Sequence, residues 1–246
     1  MSWTTDIPPR LRPVLLPLVL VASLSTAQGP EEESEANRMI QTPKQILLPR
    51  PRTVGSISLE EALARRRSIR EYLDAPLSLE EVGQLLWAAQ GITDSARGLR
   101  TAPSEGALYP LEIRLLAWRV NGLSPGLYRY DPYSHTLVNE LPGDLRTRLS
   151  EAALGQEPIR RAPCLLLISG VVARTAVKYG SRAERYVLME AGHSSENVYL
   201  QAASIGLGTV CIGAFYDDRA REALQLPPEE RLLYIMPVGK PTGVRP

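Results

Sequence analysis

The chain has 246 residues, 44% of them hydrophobic and 22% charged, with a net charge of +1. That is the size of one domain or a small pair, apolar enough to bury a core, and it carries no electrostatic footprint for nucleic acid. Two cysteines, Cys164 and Cys211, make neither a disulfide framework nor a zinc site. They read as two buried thiols, with a single bridge between adjacent strands as the alternative.

Met1 to Ala27 has the layout of an export signal. Arg10 and Arg12 are positive, Val14 to Leu24 is apolar, and Ser25, Thr26 and Ala27 supply the small residues of a cleavage site. The apolar run is too short for a comfortable membrane span. An exported protein, periplasmic or extracellular, is expected if this signal acts, and a cytoplasmic one otherwise. Residues 28–46 read as a polar linker with Glu31, Glu32, Glu33 and Glu35 bunched together, and residues 47–246 as the folded domain. Ile46 to Arg52, with Pro49 and Pro51, is an extended lead-in, and regular structure is expected from Ser58 onward.

Ser58 with Glu61, and Ser78 with Glu81, have the spacing of capping boxes. They predict helices over Leu59 to Arg66 and Leu79 to Gln90, the second stopped by Gly91. Leu111 to Val120 predicts a strand, and Leu127 to Asp131 with Thr136 to Glu140 a hairpin bent at Asp131-Pro132-Tyr133-Ser134. A short helix is expected over Asp144 to Leu154 and a buried strand over Cys164 to Val172. Ala183 to Ile205 has no proline and is apolar around most of its circumference, which predicts a long central helix buried in a core or an interface. A strand (Thr209 to Ile212), a helix (Asp217 to Leu224) and a strand (Leu232 to Val238) follow. The irregular alternation predicts an α+β domain, a mixed and mostly antiparallel sheet surrounded by helices.

Chemistry has four candidate places. Arg65-Arg66-Arg67-Ser68-Ile69-Arg70 gathers enough donors to surround a phosphate, although cations are also favoured at any helix C-terminus. Pro103-Ser104-Glu105-Gly106 is a glycine-containing loop whose backbone can come close to a ligand. Gly206-Leu207-Gly208 through Ala214 follows a helix and precedes a strand, the reverse of a dinucleotide fingerprint. Lys178-Tyr179 adjoins the central helix; both side chains ordinarily titrate near ~10 and need a shifted pKa to act as a base near neutrality. His135 and His193 lack metal-ligand spacing, so no metal site is expected, and His193 reads as a hydrogen-bonded core histidine.

The runs Arg66-Arg67-Ser68-Ile69-Arg70, Pro103-Ser104, Gly206 to Phe215 and Met236-Pro237-Val238-Gly239, in that order, resemble the nitroreductase superfamily of flavoproteins. Ser104 to Glu112, Gly126 to Pro132, Lys178-Tyr179-Gly180 and Glu190-Ala191-Gly192-His193 resemble its SagB-type dehydrogenase branch, which includes azoline oxidases of modified peptides. The resemblance covers roughly Leu59 to Lys240. It implies an FMN enzyme of nitroreductase-like fold, usually a homodimer with the flavin at the subunit interface. It also implies that Arg66, Arg67, Ser68 and Arg70 hold the FMN phosphate and ribityl chain. Pro103, Ser104 and Glu105 would reach the flavin from the partner subunit, and Cys211, Ile212, Gly213 and Ala214 would lie beside the ring. Lys178 and Tyr179 match a catalytic pair of the azoline oxidases, and Lys240 or Arg245 is left to close over the phosphate.

The expected function is therefore an FMN-dependent oxidoreductase that takes hydride from a donor such as NAD(P)H and passes it to a small electrophile. Three alternatives stand beside it: an azoline-type peptide dehydrogenase, a flavin- or ligand-binding protein without redox turnover, and a scaffold that holds no FMN. No nucleic-acid partner and no stable membrane span are expected.

Overall fold

The segment Cys164–Gly170 is buried at every position, the condition of a strand covered on both faces. It lies inside a seven-stranded sheet whose neighbours it organises. The computed structural model describes residues 45–243. The export signal, the linker up to residue 44 and Arg245 lie outside the described residues. Within them the chain runs β1 (Gln45–Leu47), α1 (Leu59–Arg65), α2 (Leu79–Gln90), β2 (Ile92–Asp94), β3 (Leu99–Arg100), β4 (Leu111–Ala117), β5 (Gly126–Asp131) and β6 (Thr136–Pro142). It continues through α3 (Arg146–Ala152), α4 (Glu157–Arg161), β7 (Cys164–Gly170), α5 (Val172–Tyr179), α6 (Ala183–Ser204), β8 (Gly208–Thr209), α7 (Asp217–Ala223) and β9 (Arg231–Gly239).

The sheet order is β1-β6-β5-β4-β7-β9-β8, and every pair of these strands is antiparallel. Parallel pairing is confined to the isolated bridges Ser68–Thr209 and Leu77–Val120. Side chains alternate with period two across the sheet. Ile113, Leu115, Cys164, Leu166, Ile168 and Met236 face one core with α2 and α6. Leu116, Leu165, Leu167 and Ile235 face a second core with α3, α4 and α7. The fold is the expected α+β arrangement. Among the described residues no helix is long and apolar enough to cross a membrane.

The strongest local signals produce the elements with the sharpest boundaries. Ser78 and Glu81 form a complete reciprocal capping box, and α2 runs over the expected residues. The Ser58 box is half formed: Ser58 accepts from the Glu61 N–H, but the Glu61 carboxylate turns to Arg65 instead. The central helix α6 has 22 residues, about 33 Å of length. Its buried positions make one stripe, and the other side leaves Leu188 and Met189 exposed in the single chain. His193 is on that exposed side, so the expected core histidine is a surface one. The hydrogen-bonded histidine is His135, which meets the Tyr130 hydroxyl at 2.9 Å and the Pro49 carbonyl at 3.0 Å.

Other boundaries differ. β1 takes Gln45 and Ile46 out of the linker, because its ladder to β6 satisfies backbone groups that a tether would leave to water. β7 ends at Gly170, and α5, absent from the expected elements, follows at once. The helix over Asp144 to Leu154 is shorter than expected and is succeeded by α4, whose first turn contains Pro158. Both cysteines are free thiols.

One buried charge cluster ties the sheet together. Arg114 on β4 pairs with Glu230, just before β9, in a bidentate contact, and donates from Nε to Glu140 of β6 at 2.6 Å. Ser169 of β7 donates to the same Glu230. Arg114 and Glu230 side chains are 5% and 4% exposed, so removing one partner strands the other in the core. Replacement Glu230→Gln is expected to cost about 3 kcal/mol, a fall in Tm of roughly 6–12 °C for a chain of this size. The double variant Arg114→Met with Glu230→Leu recovers most of that loss in the same thermal melt.

Candidate active site

Two clusters contain the expected site residues, and both border α6. The first is built where α1 ends. Arg66 caps α1, and the chain then extends so that Ser68 bridges Thr209 and the Ile69 N–H donates to the Thr209 carbonyl at 2.9 Å. This pairing lays the basic run beside β8. Gly208 makes it possible, since a Cβ there would sit 2.7 Å from Ile69. Tyr199 of α6 joins the two sequence stretches. Its hydroxyl accepts from the Cys211 N–H at 2.7 Å and meets the Ser68 hydroxyl at 3.3 Å. The Arg66 guanidinium lies 5.2 Å from the centre of the Tyr199 ring, with Glu196 at 3.9 Å.

Within this cluster Arg66 and Ser68 converge, and Arg70 is exposed beside them. Arg67 does not converge: its guanidinium donates back to the Ala64 and Arg66 carbonyls at 2.8 and 2.7 Å. Lys240 is at the far end of the run, where its carbonyl accepts from the Leu73 N–H. Burial raises the pKa of the Tyr199 hydroxyl and of the Cys211 thiol, and hydrogen bonds from their neighbours oppose the shift. Ile212 is held by reciprocal backbone bonds to Ile235, leaving Gly213 and Ala214 exposed at the surface, with Tyr234 behind Gly213.

The second cluster surrounds the loop from Pro103 to Tyr109. Ser104 accepts from the Tyr109 N–H at 2.9 Å, closing the loop on itself. Gly106 has φ +67, a conformation side chains rarely adopt, and a Cβ on it would stand 3.0 Å from both Lys178 Nζ and Tyr179 Oη. The Lys-Tyr pair at the end of α5 therefore lies directly over this glycine. Tyr179 packs edge-on against Tyr186 of α6, with ring centres 4.8 Å apart. The Glu105 Oε2 is buried without a hydrogen-bond partner.

Among the described residues no hydrogen bond or ion pair links the two clusters within one chain. Cys211 comes together with Arg66 and Ser68 through Tyr199, and Lys178 and Tyr179 with Gly106; Ile212 pairs with Ile235, and the Ala214 carbonyl accepts from Gln156 at 2.9 Å. The clusters are spaced along α6, with Glu190 at one and Tyr199 at the other, about 13 Å apart at 1.5 Å per residue. A cavity of ≈860 Å³ reaches Arg65 and Gly206 at the edges of the basic run and the glycine stretch, but none of the residues expected to touch a flavin lines it. It lies between the segment Arg52 to Leu59, α2 and the end of α6, and Gln84 on its wall is already paired with Arg52 and Gln201. The reactive groups are elsewhere.

The Nitroreductase family matches residues 63–240. The chain belongs to this family. A Methanocaldococcus jannaschii homologue assigned to the nitroreductases is 47% identical over 187 residues, 76% of this chain and 93% of that protein. The microcin B17-processing protein McbC of Escherichia coli is 27% identical over 155 residues, 61% of this chain and 57% of that one. A solved Ralstonia eutropha structure with the nitroreductase assignment superposes with a TM-score of 0.71 at 31% identity, covering 81% of this chain and 90% of that one.

In this nitroreductase-family chain, the residues that sequence reasoning did not assign to the site are Tyr199, Glu190, Gln90 and Arg100. Tyr199 was legible only as an apolar helix position; its hydroxyl finds its partner beyond β8. Glu190 stood in a run that carried the resemblance, without a role. Replacing Gly106 by Ala combines a positive φ with a filled contact, and is expected to cost about 1 kcal/mol from the backbone. Tm should fall by only a few degrees, while Lys178 and Tyr179 are pushed off the loop and oxidoreductase turnover drops at least tenfold.

Proposed function

We propose that the chain is an FMN-dependent oxidoreductase that works as a homodimer and transfers hydride between a reduced donor and a small electrophile. The observation that carries this reading is the junction at Tyr199, which joins Ser68 of the basic run to Cys211, the first residue of the Cys211–Ala214 segment. The residues fit the cofactor on this chain's own geometry. The Arg66 guanidinium has a long ion pair with Glu196 and lies by the Tyr199 ring, and Ser68 and Arg70 are exposed. Two cations and a neutral donor suit a phosphate dianion. Arg67 is turned to backbone carbonyls and takes a supporting part. Gly213 and Ala214 offer a surface without bulky side chains for a flat ring.

FMN supplies a two-electron hydride acceptor and donor; the protein binds and orients it. Arg66, Ser68 and Arg70 hold its phosphate end. The Cys211–Ala214 backbone lines the ring. Lys178, held over Gly106, supplies positive charge, and Tyr179 supplies a hydroxyl at the same point. Pro103, Ser104 and Glu105 belong to the other cluster along α6, which supports a site completed by a second copy. The exposed Leu188 and Met189 on α6 support the same pairing. Export with cleavage after Ala27 is part of the proposal, supported by the Arg10, Arg12 and Val14 to Leu24 pattern.

A second reading is favoured by one observation. The Lys178–Tyr179 pair is held in place by Gly106, as a base for proton removal needs to be. In that reading, a peptide azoline dehydrogenase, Lys178 or Tyr179 would take the azoline ring proton, and bound FMN would supply the hydride acceptor. The likeness to McbC supports that version at the level of the family. The test is steady-state turnover of the protein from Gln28 onward with NADH or NADPH and a nitroaromatic acceptor, in parent and Lys178→Ala. Lys178→Ala is expected to keep its FMN and lose at least tenfold in kcat. Unchanged kcat with FMN retained removes Lys178 from the reaction.

A further inference from the structure

Glu190 is on α6 facing inward, 1% exposed. A carboxyl in a core is costly unless neighbours answer it, and nothing in the packing of α6 calls for one. Its neighbours form a single connected path. The Gln90 side-chain amide donates to Glu190 Oε1 at 3.2 Å, and the Gln90 carbonyl accepts from Arg100 Nη1 at 3.1 Å. The Ser104 hydroxyl accepts from the Tyr109 N–H at 2.9 Å and faces the Glu190 carboxyl, whose pKa it lowers. Arg100 in turn lies 4.4 Å from the centre of the Tyr109 ring. The path from Glu190 through Gln90 and Arg100 meets the loop at Tyr109, Ser104 is bonded to that same residue, and Gly106 is between the two.

We infer that Glu190 is the positioning residue of this loop: through Gln90 and Arg100 it fixes Tyr109, and so where Gly106 sits and where Lys178 Nζ and Tyr179 Oη are held over it. The consequence for catalysis rests on the function proposed above; the geometry does not. Charged groups face Glu190 from two sides, Arg100 from β3 and Glu105 from the loop itself. Burial pushes the Glu190 carboxyl up to about 7, with Ser104, Gln90 and Arg100 pulling it down and Glu105 adding to the rise. The ionised acid is the better acceptor for the Gln90 amide, so the path to Tyr109, and with it the loop, is held more tightly above pH 7 than below it. Global stability runs the other way. A carboxyl whose folded pKa is raised above its ordinary 4.5 contributes stability at low pH that is lost as pH rises through about 7. A loop that tightens while the whole fold weakens separates positioning from general stiffening.

The test is hydrogen–deuterium exchange of the full chain, read at residues 103–109 and corrected for the pH dependence of the chemical rate. In the parent, exchange there should be several-fold slower at pH 8 than at pH 6. Glu190→Gln should abolish that difference while the strands β4 and β7 stay protected. Glu190→Ala should raise exchange in the loop several-fold at pH 8. Loop exchange in Glu190→Gln that keeps the parent's pH difference, or in Glu190→Ala that matches the parent's rate, overturns the inference. If neither Glu190 variant folds, Gln90→Leu, which removes the link between Glu190 and Arg100, carries the test: faster exchange at residues 104–109 supports it and an unchanged rate overturns it. None of these readouts needs FMN or turnover, so a colourless, inert protein with a Glu190-dependent loop would sink the proposed function and leave this role standing.

Discussion

The structure depends on burying one stripe of α6 against the sheet. Val187, Ala191, Val198 and Ala202 meet the inner faces of β4, β7 and β9, and that contact fixes both the rotation and the height of the helix. Everything chemical is referred to it. Glu190 and Tyr199 are carried by the same helix at opposite ends of the candidate site. One reaches the loop over which Lys178 and Tyr179 lie, the other the basic run and Cys211. Small residues on the stripe, such as Ala191, Ser194 and Ala202, let α2 and the sheet approach closely; Ser194 spends its hydroxyl on the Ala89 carbonyl.

Two kinds of buried polar group serve different ends. The Arg114–Glu230–Ser169–Glu140 cluster joins four places in the sheet and lies away from the candidate site. Its removal is a matter of stability. The Glu190–Gln90–Arg100–Tyr109 path joins the central helix, a second helix, a short strand and a loop, and it ends at the loop that carries Gly106. A polar path with one end at a loop is able to transmit a protonation change to that loop, whereas the closed cluster in the sheet has no such outlet.

Local patterns in the chain predict those elements whose signals are local. The Ser78–Glu81 box and a helical spacing locate α2, and the long proline-free run locates α6 to within one residue. The hairpin of β5 and β6 follows from its alternation and its Asp131-Pro132 bend. What escaped has non-local or very short causes. β2 and β3 have three and two residues, too few to show a period. α5 opens at Val171 with no side-chain cap, so the apolar run of β7 passes into it unmarked. The site is similar: Arg66, Ser68, Cys211 and Lys178 were legible as residue types and as a resemblance, but their meeting points are not. Ser68 and Tyr199 are 131 positions apart, and Gln90 and Glu190 are 100; no spacing rule joins them. The outward turn of Arg67 and the exposure of His193 are likewise set by packing that only the fold reveals.

Every proposed catalytic role depends on a flavin site at the Arg66–Ser68 run and the segment that begins at Cys211. The most direct measurement is the absorbance spectrum of protein purified from Gln28 onward, with chromatography of whatever chromophore denaturation releases. A flavin spectrum and released FMN, lost together in Arg66→Ala with Ser68→Ala, is the predicted result. Colourless protein that stays colourless after incubation with FMN contradicts it, and makes the basic run a solvated helix end.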